Sequence, residues 1–207
     1  MFTGIIQDTG KIVSRTVNKD SIRFTVKPGN KKFTKNLKIG DSVSINGACM
    51  TVEDINSGDF NFTTIKESLS KTNLSALKLN DLINLEEAMT LRSKLDGHIV
   101  QGHVDCTGIV KEIKKLKDSW EYFIEFSSKF SQNIIPVGSI AINGVSLTIA
   151  AIPEERSGKV LIKVAIIPHT FKFTNFSKLK AGESVNIEFD MLGKYVNRIF
   201  RKKNTGR

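Results

Sequence analysis

Two cysteines, Cys49 and Cys106, are all that the 207-residue chain contains. That is too few for the dense disulfide framework of a small secreted domain, and reduced thiols are the default. Long apolar runs are missing too: hydrophobic residues make up 40% of the chain without gathering into a membrane span. The opening MFTGIIQDTG has neither the basic start nor the apolar stretch of a signal peptide, so the expected compartment is the cytoplasm. Ligands for a metal are equally short. His98 and His103 stand five residues apart on a strand pattern, His169 is remote in sequence, and no cysteine pair assists a tetrahedral cage. The formal charge of +10 invites a nucleic-acid reading, but such a barrel needs aromatic platforms interleaved with its positive charge. The cluster Lys111, Lys114, Lys115 and Lys117 has Trp120 alone nearby, and Arg201, Lys202, Lys203 and Arg207 crowd a C-terminal tail. A solvated face and a solubilising tail account for the excess, so neither nucleic acid nor membrane is an expected partner.

What the chain does have is an internal repeat. GDSVSINGACMTVEDI (Gly40 to Ile55) reappears as GSIAINGVSLTIAAI (Gly138 to Ile152), and Asn46-Gly47 recurs as Asn143-Gly144. Gly4 and Gly10 in GIIQDTG correspond to Gly102 and Gly108 in GHVDCTG, and KTNLSALKLNDLINLE matches FTNFSKLKAGESVNIE. A period near a hundred residues is too long for a solenoid unit and suits a small domain. Two homologous units follow, at 1–90 and 97–189, with a linker near Thr90 to Gly97 and a separate segment at 190–207.

Alternation of apolar and polar residues predicts strands at Ile5 to Val13, Ser21 to Val26, Ser42 to Ile55, Phe60 to Ile65 and Leu82 to Glu86. In the second unit it predicts Val100 to Ile113, Trp120 to Phe126, Ser139 to Ile152, Lys159 to Ile167 and Ser184 to Phe189. Short helical pieces fit Phe33 to Asn36, Glu67 to Asn73 and Phe130 to Ile134. So many short strands with no room for crossover helices give an all-β fold, one closed antiparallel barrel per unit. After Asp190 the period changes. Leu192, Tyr195, Val196, Ile199 and Phe200 draw one apolar stripe on a C-terminal amphipathic helix. That stripe must be buried on its own barrel or on a neighbouring subunit, and the second is favoured.

The elements MFTGII, NGACMTV, KESLSKTNL, GHIVQGHVD, INGVSLT and IPHT, in this order, make the chain resemble riboflavin synthases of the alpha-chain type from end to end. The resemblance implies two tandem six-stranded Greek-key barrels, each holding one 6,7-dimethyl-8-ribityllumazine, in a homotrimer whose active site forms between barrels of different subunits. It implies transfer of a four-carbon unit from one lumazine to the other, giving riboflavin and 5-amino-6-ribitylaminouracil, with no metal or redox cofactor. It also implies association with lumazine synthase. A related but non-catalytic function is a fluorescent antenna that holds a lumazine or flavin in the same fold.

The reaction needs a proton removed from a methyl group and two rings held in register, so positioning and proton transfer are the protein's share. His103 has a suitable intrinsic pKa and stands where the first copy has Ile5, although a hydrogen-bonded strand histidine is the plainer alternative. Cys49 matches Ser146 and Thr51 matches Thr148, each pair on one face of its strand, against the alternative of a small buried cysteine. By resemblance Phe2 and Thr3 reach into the active interface beside His103, Cys49, Ser146 and Thr148. Resemblance also assigns substrate contacts in the first barrel to Gly4, Ile5 and Ile6, to Cys49, Met50 and Thr51, and to Thr63, Thr64, Ile65, Lys66, Glu67 and Ser68. In the second they fall to Gly102, His103 and Val104, to Ser146, Leu147 and Thr148, and to Ala165, Ile166, Ile167, Pro168, His169 and Thr170. Asp190 matches an acidic site position, with a helix N-cap as an equally credible role. Cys106 has no supporting motif and reads as core.

Overall fold

Strands of three to twelve residues, bounded by glycine and asparagine corners, are the dominant regular element of the chain. A computed structural model describes residues 1–156 and 158–204, with side chains as far as residue 200. Arg201, Lys202, Lys203 and Arg207 of the basic tail lie outside the described side chains. The first sheet contains β1 (Asp8–Val17), β2 (Ser21–Pro28), β3 (Ser42–Ile45), β4 (Ala48–Thr51), β5 (Asp54–Asn56), β6 (Asp59–Ile65) and β7 (Leu82–Glu87). The second contains β8 (Cys106–Lys115), β9 (Trp120–Ser127), β10 (Ser139–Ile142), β11 (Val145–Arg156), β12 (Lys159–Ile166) and β13 (Ser184–Phe189). All pairings are antiparallel. The second sheet closes into a barrel, β10-β11-β12-β9-β8-β13, with Greek-key crossings where β12 meets β9 and β13 meets β10. The first runs β4-β3-β7-β1-β2-β6-β5, and its two ends, β4 and β5, are successive pieces of the strand that is continuous as β11.

Each barrel has its own core. Phe24 and Phe62 stack at 5.2 Å in the first, with Ile12, Val43 and Leu85 around them. In the second, Tyr122 meets Phe176 edge-on at 5.0 Å and donates its hydroxyl to the Phe176 carbonyl at 2.7 Å, which satisfies the polar end of a buried ring. Each fully buried side chain of this kind contributes roughly 1.5–3 kcal/mol.

The long predicted strands over Ser42 to Ile55 and Ser139 to Ile152 are interrupted at the repeated asparagine-glycine steps. Asn46 and Gly47 have φ of 47° and 83°, Asn143 and Gly144 of 46° and 80°, the left-handed pair that turns a two-residue hairpin. Those two turns touch: a Cβ on Gly47 would come within 2.7 Å of the Gly144 nitrogen. The first and eighth strands begin later than predicted, at Asp8 and Cys106, because the residues before them leave their own sheet. Helix α1 (Lys66–Lys71) covers most of the predicted helical segment. Its counterpart α2 (Pro168–Phe173) was not anticipated, although a proline at the first helical position is a start signal. Helix α3 (Met191–Asn204) follows β13 directly. Its Lys194 ammonium sits 2.8 Å from the Asp105 carboxylate, and Asn197 donates to the Gln132 carbonyl at 2.6 Å. Leu192, Tyr195, Val196, Ile199 and Phe200 stay at least half exposed, so the apolar stripe is not buried on its own barrel.

Candidate functional site

Two buried carboxylates at matching positions organise the site. Glu86 on β7 accepts the Thr3 N–H at 2.6 Å and hydroxyl at 2.7 Å on one oxygen, and the Gly4 N–H at 3.1 Å on the other. Glu188 on β13 accepts the N–H groups of Gln101 and Gly102 at 2.6 and 2.9 Å. Burial pushes both carboxyls above the usual range, and the N–H bonds they accept oppose that shift. Each glycine held this way then crosses to the other barrel. The Gly4 carbonyl accepts the Ser146 N–H and the Gly102 carbonyl accepts the Cys49 N–H, both at 2.8 Å. Ile6 packs into the second core and Val104 into the first. The grouping by linear copy is thus corrected: Gly102, His103 and Val104 join Cys49, and Gly4, Ile5 and Ile6 join Ser146. With φ of 75° and 81°, Gly4 and Gly102 adopt the left-handed region, and a Cβ on either would come within 2.6 Å of the facing Ser146 or Cys49 side chain.

The exchange shapes a cleft of about 220 Å³ on the first barrel, lined by Ala48, Cys49, Met50, Glu67, Ser68, Lys71, Thr72, Gly102, His103 and Val104. Seven predicted site residues meet there: Cys49, Met50, Glu67, Ser68, Gly102, His103 and Val104. His103 is exposed to the cleft opening, and Met50 and Val104 form its buried floor. Phe2 is completely buried behind it, bridged to Val100 by N–H to carbonyl bonds of 2.7 and 3.0 Å. The N-terminus is therefore pinned rather than loose, and Phe2 packs with Val100, Ala141 and Cys49 between the barrels.

On the second barrel Ser146 has a partner that the sequence did not suggest. His98 is buried, and its Nδ1 lies 2.7 Å from the Ser146 hydroxyl. Its Nε2 is buried without a partner. Burial pulls the imidazole below the ordinary histidine range, and the Asp190 carboxylate opposes it. A neutral imidazole against a hydroxyl can accept its proton, the geometry of an activated serine or of a proton relay. The sequence signal was present in the GHIVQGHVD element, but His98 stands ahead of the stretch of the second unit that has a counterpart in the first, so it has no copy to compare with. Thr3 and Ile5 open instead onto a neighbouring cleft of about 250 Å³ with Glu86, Lys94 and Asp96.

The lumazine-binding domain model matches residues 3–88 and again 101–190. Riboflavin synthase of Actinobacillus pleuropneumoniae is 39% identical over 98% of this chain and 91% of its own length. That of Bacillus subtilis (strain 168) is 35% identical over 99% and 92%. This chain belongs to the riboflavin synthase family. Its fold also matches LumP complexed with 6,7-dimethyl-8-(1'-D-ribityl) lumazine, with a TM-score of 0.79 and 25% identity over 91% of this chain and 99% of that one.

Other residues that family resemblance singled out are spread around these clefts. Thr51 and Thr148 are exposed on the same strand faces as Cys49 and Ser146, and Leu147 is half-buried against the second core. Thr63 donates to Glu53 at 2.9 Å, Thr64 is buried against the Met50 sulfur, Ile65 is exposed, and Lys66 reaches Asp20 at 3.9 Å. None of these four lines the Cys49 cleft. Ala165 and Ile166 end β12, with Ile166 buried, while Ile167, Pro168, His169 and Thr170 open α2, where His169 packs on Phe173. Asp190 accepts the Leu192 N–H at 2.9 Å and so caps α3. Cys106 is half-buried against the second core, and burial pushes its thiol up to about 12, which removes it as a nucleophile. The Lys111 and Lys114 charges are offset by Glu125 and Glu112 at 3.8 and 3.5 Å. Among the described residues no group of three or more histidine, cysteine or acidic side chains could hold a metal, and no helix is long and apolar enough to cross a membrane.

Proposed function

We propose that this chain is a riboflavin synthase that converts two molecules of 6,7-dimethyl-8-ribityllumazine into riboflavin and 5-amino-6-ribitylaminouracil. The observation that carries the reading is a duplicated backbone frame with unlike chemistry in its two halves: Cys49 with His103 in one, Ser146 with His98 in the other. Two copies of one substrate call for similar frames, whereas a donor and an acceptor call for different proton handling. The exposed strand-edge groups read the flat rings, and His103, Cys49, Ser146 and Thr148 flank the reacting carbons, with His98 orienting and deprotonating the Ser146 hydroxyl. Phe2 and Thr3 hold the exchanged segments in place. The two substrates together contain all the atoms of the two products, so the transfer balances without an external oxidant or reductant.

The reading includes a homotrimer, supported by the uncovered stripe of α3, with residues 1–90 and 97–189 as the two lumazine-binding units. It includes the cytoplasm, in keeping with two free thiols. Purified protein incubated with 6,7-dimethyl-8-ribityllumazine, without added metal or nucleotide, is expected to accumulate riboflavin and the substituted uracil in equal amounts. Lumazine that is bound but not converted would overturn the enzymatic reading and leave the antenna function.

A further inference from the structure

The segment Gly102 to Val104, which crosses from the second unit to complete the Cys49 cleft, is pinned to β13 at both ends. At its entry Glu188 holds the Gln101 and Gly102 N–H groups. At its exit the Asp105 N–H donates to the Ile187 carbonyl at 2.9 Å, and the Asp105 carboxylate accepts the Phe189 N–H at 2.9 Å. The first unit closes its own crossing segment in the same way. There the Gln7 N–H donates to the Leu85 carbonyl at 3.0 Å, and the Gln7 side-chain oxygen accepts the Glu87 N–H at 2.9 Å. A neutral amide therefore suffices for this backbone task.

The repeat breaks in chemistry at that position. A carboxylate stands at Asp105 where the first unit has Gln7, and the added charge is answered from outside the repeat. Lys194 lies on α3, a helix without a counterpart after β7, and its ammonium sits 3.1 and 2.8 Å from the two Asp105 oxygens. With side chains 25% and 20% exposed, this pair is less screened by solvent than an open surface pair. Burial lifts the Glu188 carboxyl and Asp105 adds to the lift, while the Lys194 charge opposes it. One cation on α3 thus acts on the carboxylates at both ends of the crossing segment. We propose that Lys194 is a positioning residue for the Cys49 cleft: through Asp105 it fixes the exit of the segment that presents His103, and so ties a cleft on the first barrel to the seating of α3 on the second. His103 is two residues from Asp105, and Val104 between them is buried in the first core, so a displacement at Asp105 is passed on to His103. The exposed stripe of α3 lies on the same helix, which gives a neighbouring subunit seated there a path to the cleft. That His103 has a reaction to serve rests on the proposed function, while the positioning does not.

The chain has three histidines, so NMR of the imidazole rings reads His103 directly. In the full chain, Lys194→Met is expected to shift the His103 ring signals and to leave those of His169 unmoved. Asp105→Asn keeps an acceptor for the Phe189 N–H but removes the charge; it should do the same, and it carries the test if the lysine variant does not fold. Lys194→Arg restores the charge and should return His103 to its parent signals. With 6,7-dimethyl-8-ribityllumazine as substrate, both neutral variants should lose about tenfold in kcat at unchanged mass by light scattering. In a His103→Ala background they should lose nothing further, since the pair acts through that ring. Unmoved His103 signals, an equal loss with and without His103, or a loss wholly accounted for by a fall in mass would overturn the proposal and leave the pair an anchor of α3 alone. Shifted His103 signals in a chain that makes no riboflavin would sustain the positioning while removing the proposed enzymatic function.

Discussion

At the residue scale, the functional groups differ in what holds them. His103 stands exposed at the mouth of its cleft and makes no hydrogen bond that the fold depends on, whereas His98 is buried against Ser146. His103→Ala and Ser146→Ala are therefore expected to lower kcat by about a hundredfold, the low end of what a positioned acid or base contributes. The melting temperature of His103→Ala should stay near that of the parent, whereas Ser146→Ala, which leaves the buried His98 Nδ1 without its partner, should also lose about 1–3 kcal/mol of stability; differential scanning calorimetry beside steady-state kinetics checks both. An early-melting variant with unchanged specific activity would return either residue to a purely structural role. His98 has a pH signature. Its pKa is lowered in the fold by burial, so the stability tied to the neutral ring is complete above the ordinary value of about 6.5 and is lost as pH falls from there through the lowered one. Glu86 and Glu188, raised by burial, tilt the other way on acidification. The difference in melting temperature between parent and His98→Gln, followed downward from pH 7, should therefore shrink as the parent loses this contribution.

Among the elements, the exchanged segments carry the most specific demand on sequence. Gly4 and Gly102 combine left-handed backbone with a facing side chain 2.6 Å from any added Cβ. Gly102→Ala should displace the segment from Cys49, cost about 1–3 kcal/mol of backbone strain and abolish ligand binding in the first cleft. Fluorescence titration with lumazine would show it. Each asparagine-glycine hairpin has a second role beyond turning the chain, since its asparagine caps the last strand of its own barrel. Asn186→Leu removes the donor to the Asn46 carbonyl and the acceptor of the Asn73 N–H. With both groups left inside, a loss of about 2–4 kcal/mol in urea unfolding is expected.

For the whole molecule, the question is what covers α3. One side is tied to its own barrel through Lys194, Asp105 and Asn197, and the stripe from Leu192 to Phe200 faces away. If the proposed trimer is held through this stripe, a chain ending at Asp190 should not form it, with light scattering giving the monomer mass and activity falling with it. A truncated chain that remains trimeric and fully active would place the subunit contact elsewhere. The exchange between barrels adds a coupling within one chain, because neither pocket is complete without a segment from the other half.

By itself the sequence determined the two units, the all-β class, the helix after Asp190 and most residues of the Cys49 cleft, because period-two alternation and a repeat are local patterns that survive in one dimension. It carried no sign that Gly4 and Gly102 trade places. The repeat aligns each glycine with its counterpart in the other copy, and that alignment says nothing of which barrel either one faces. Tertiary structure decided the matter through Glu86 and Glu188, whose carboxylates each hold two chain amides at the barrel ends and aim the next carbonyl at the opposite barrel. His98 likewise became a partner of Ser146 because the chain after the linker pairs with Phe2 and Thr3, a contact between residues nearly a hundred positions apart that no local pattern encodes.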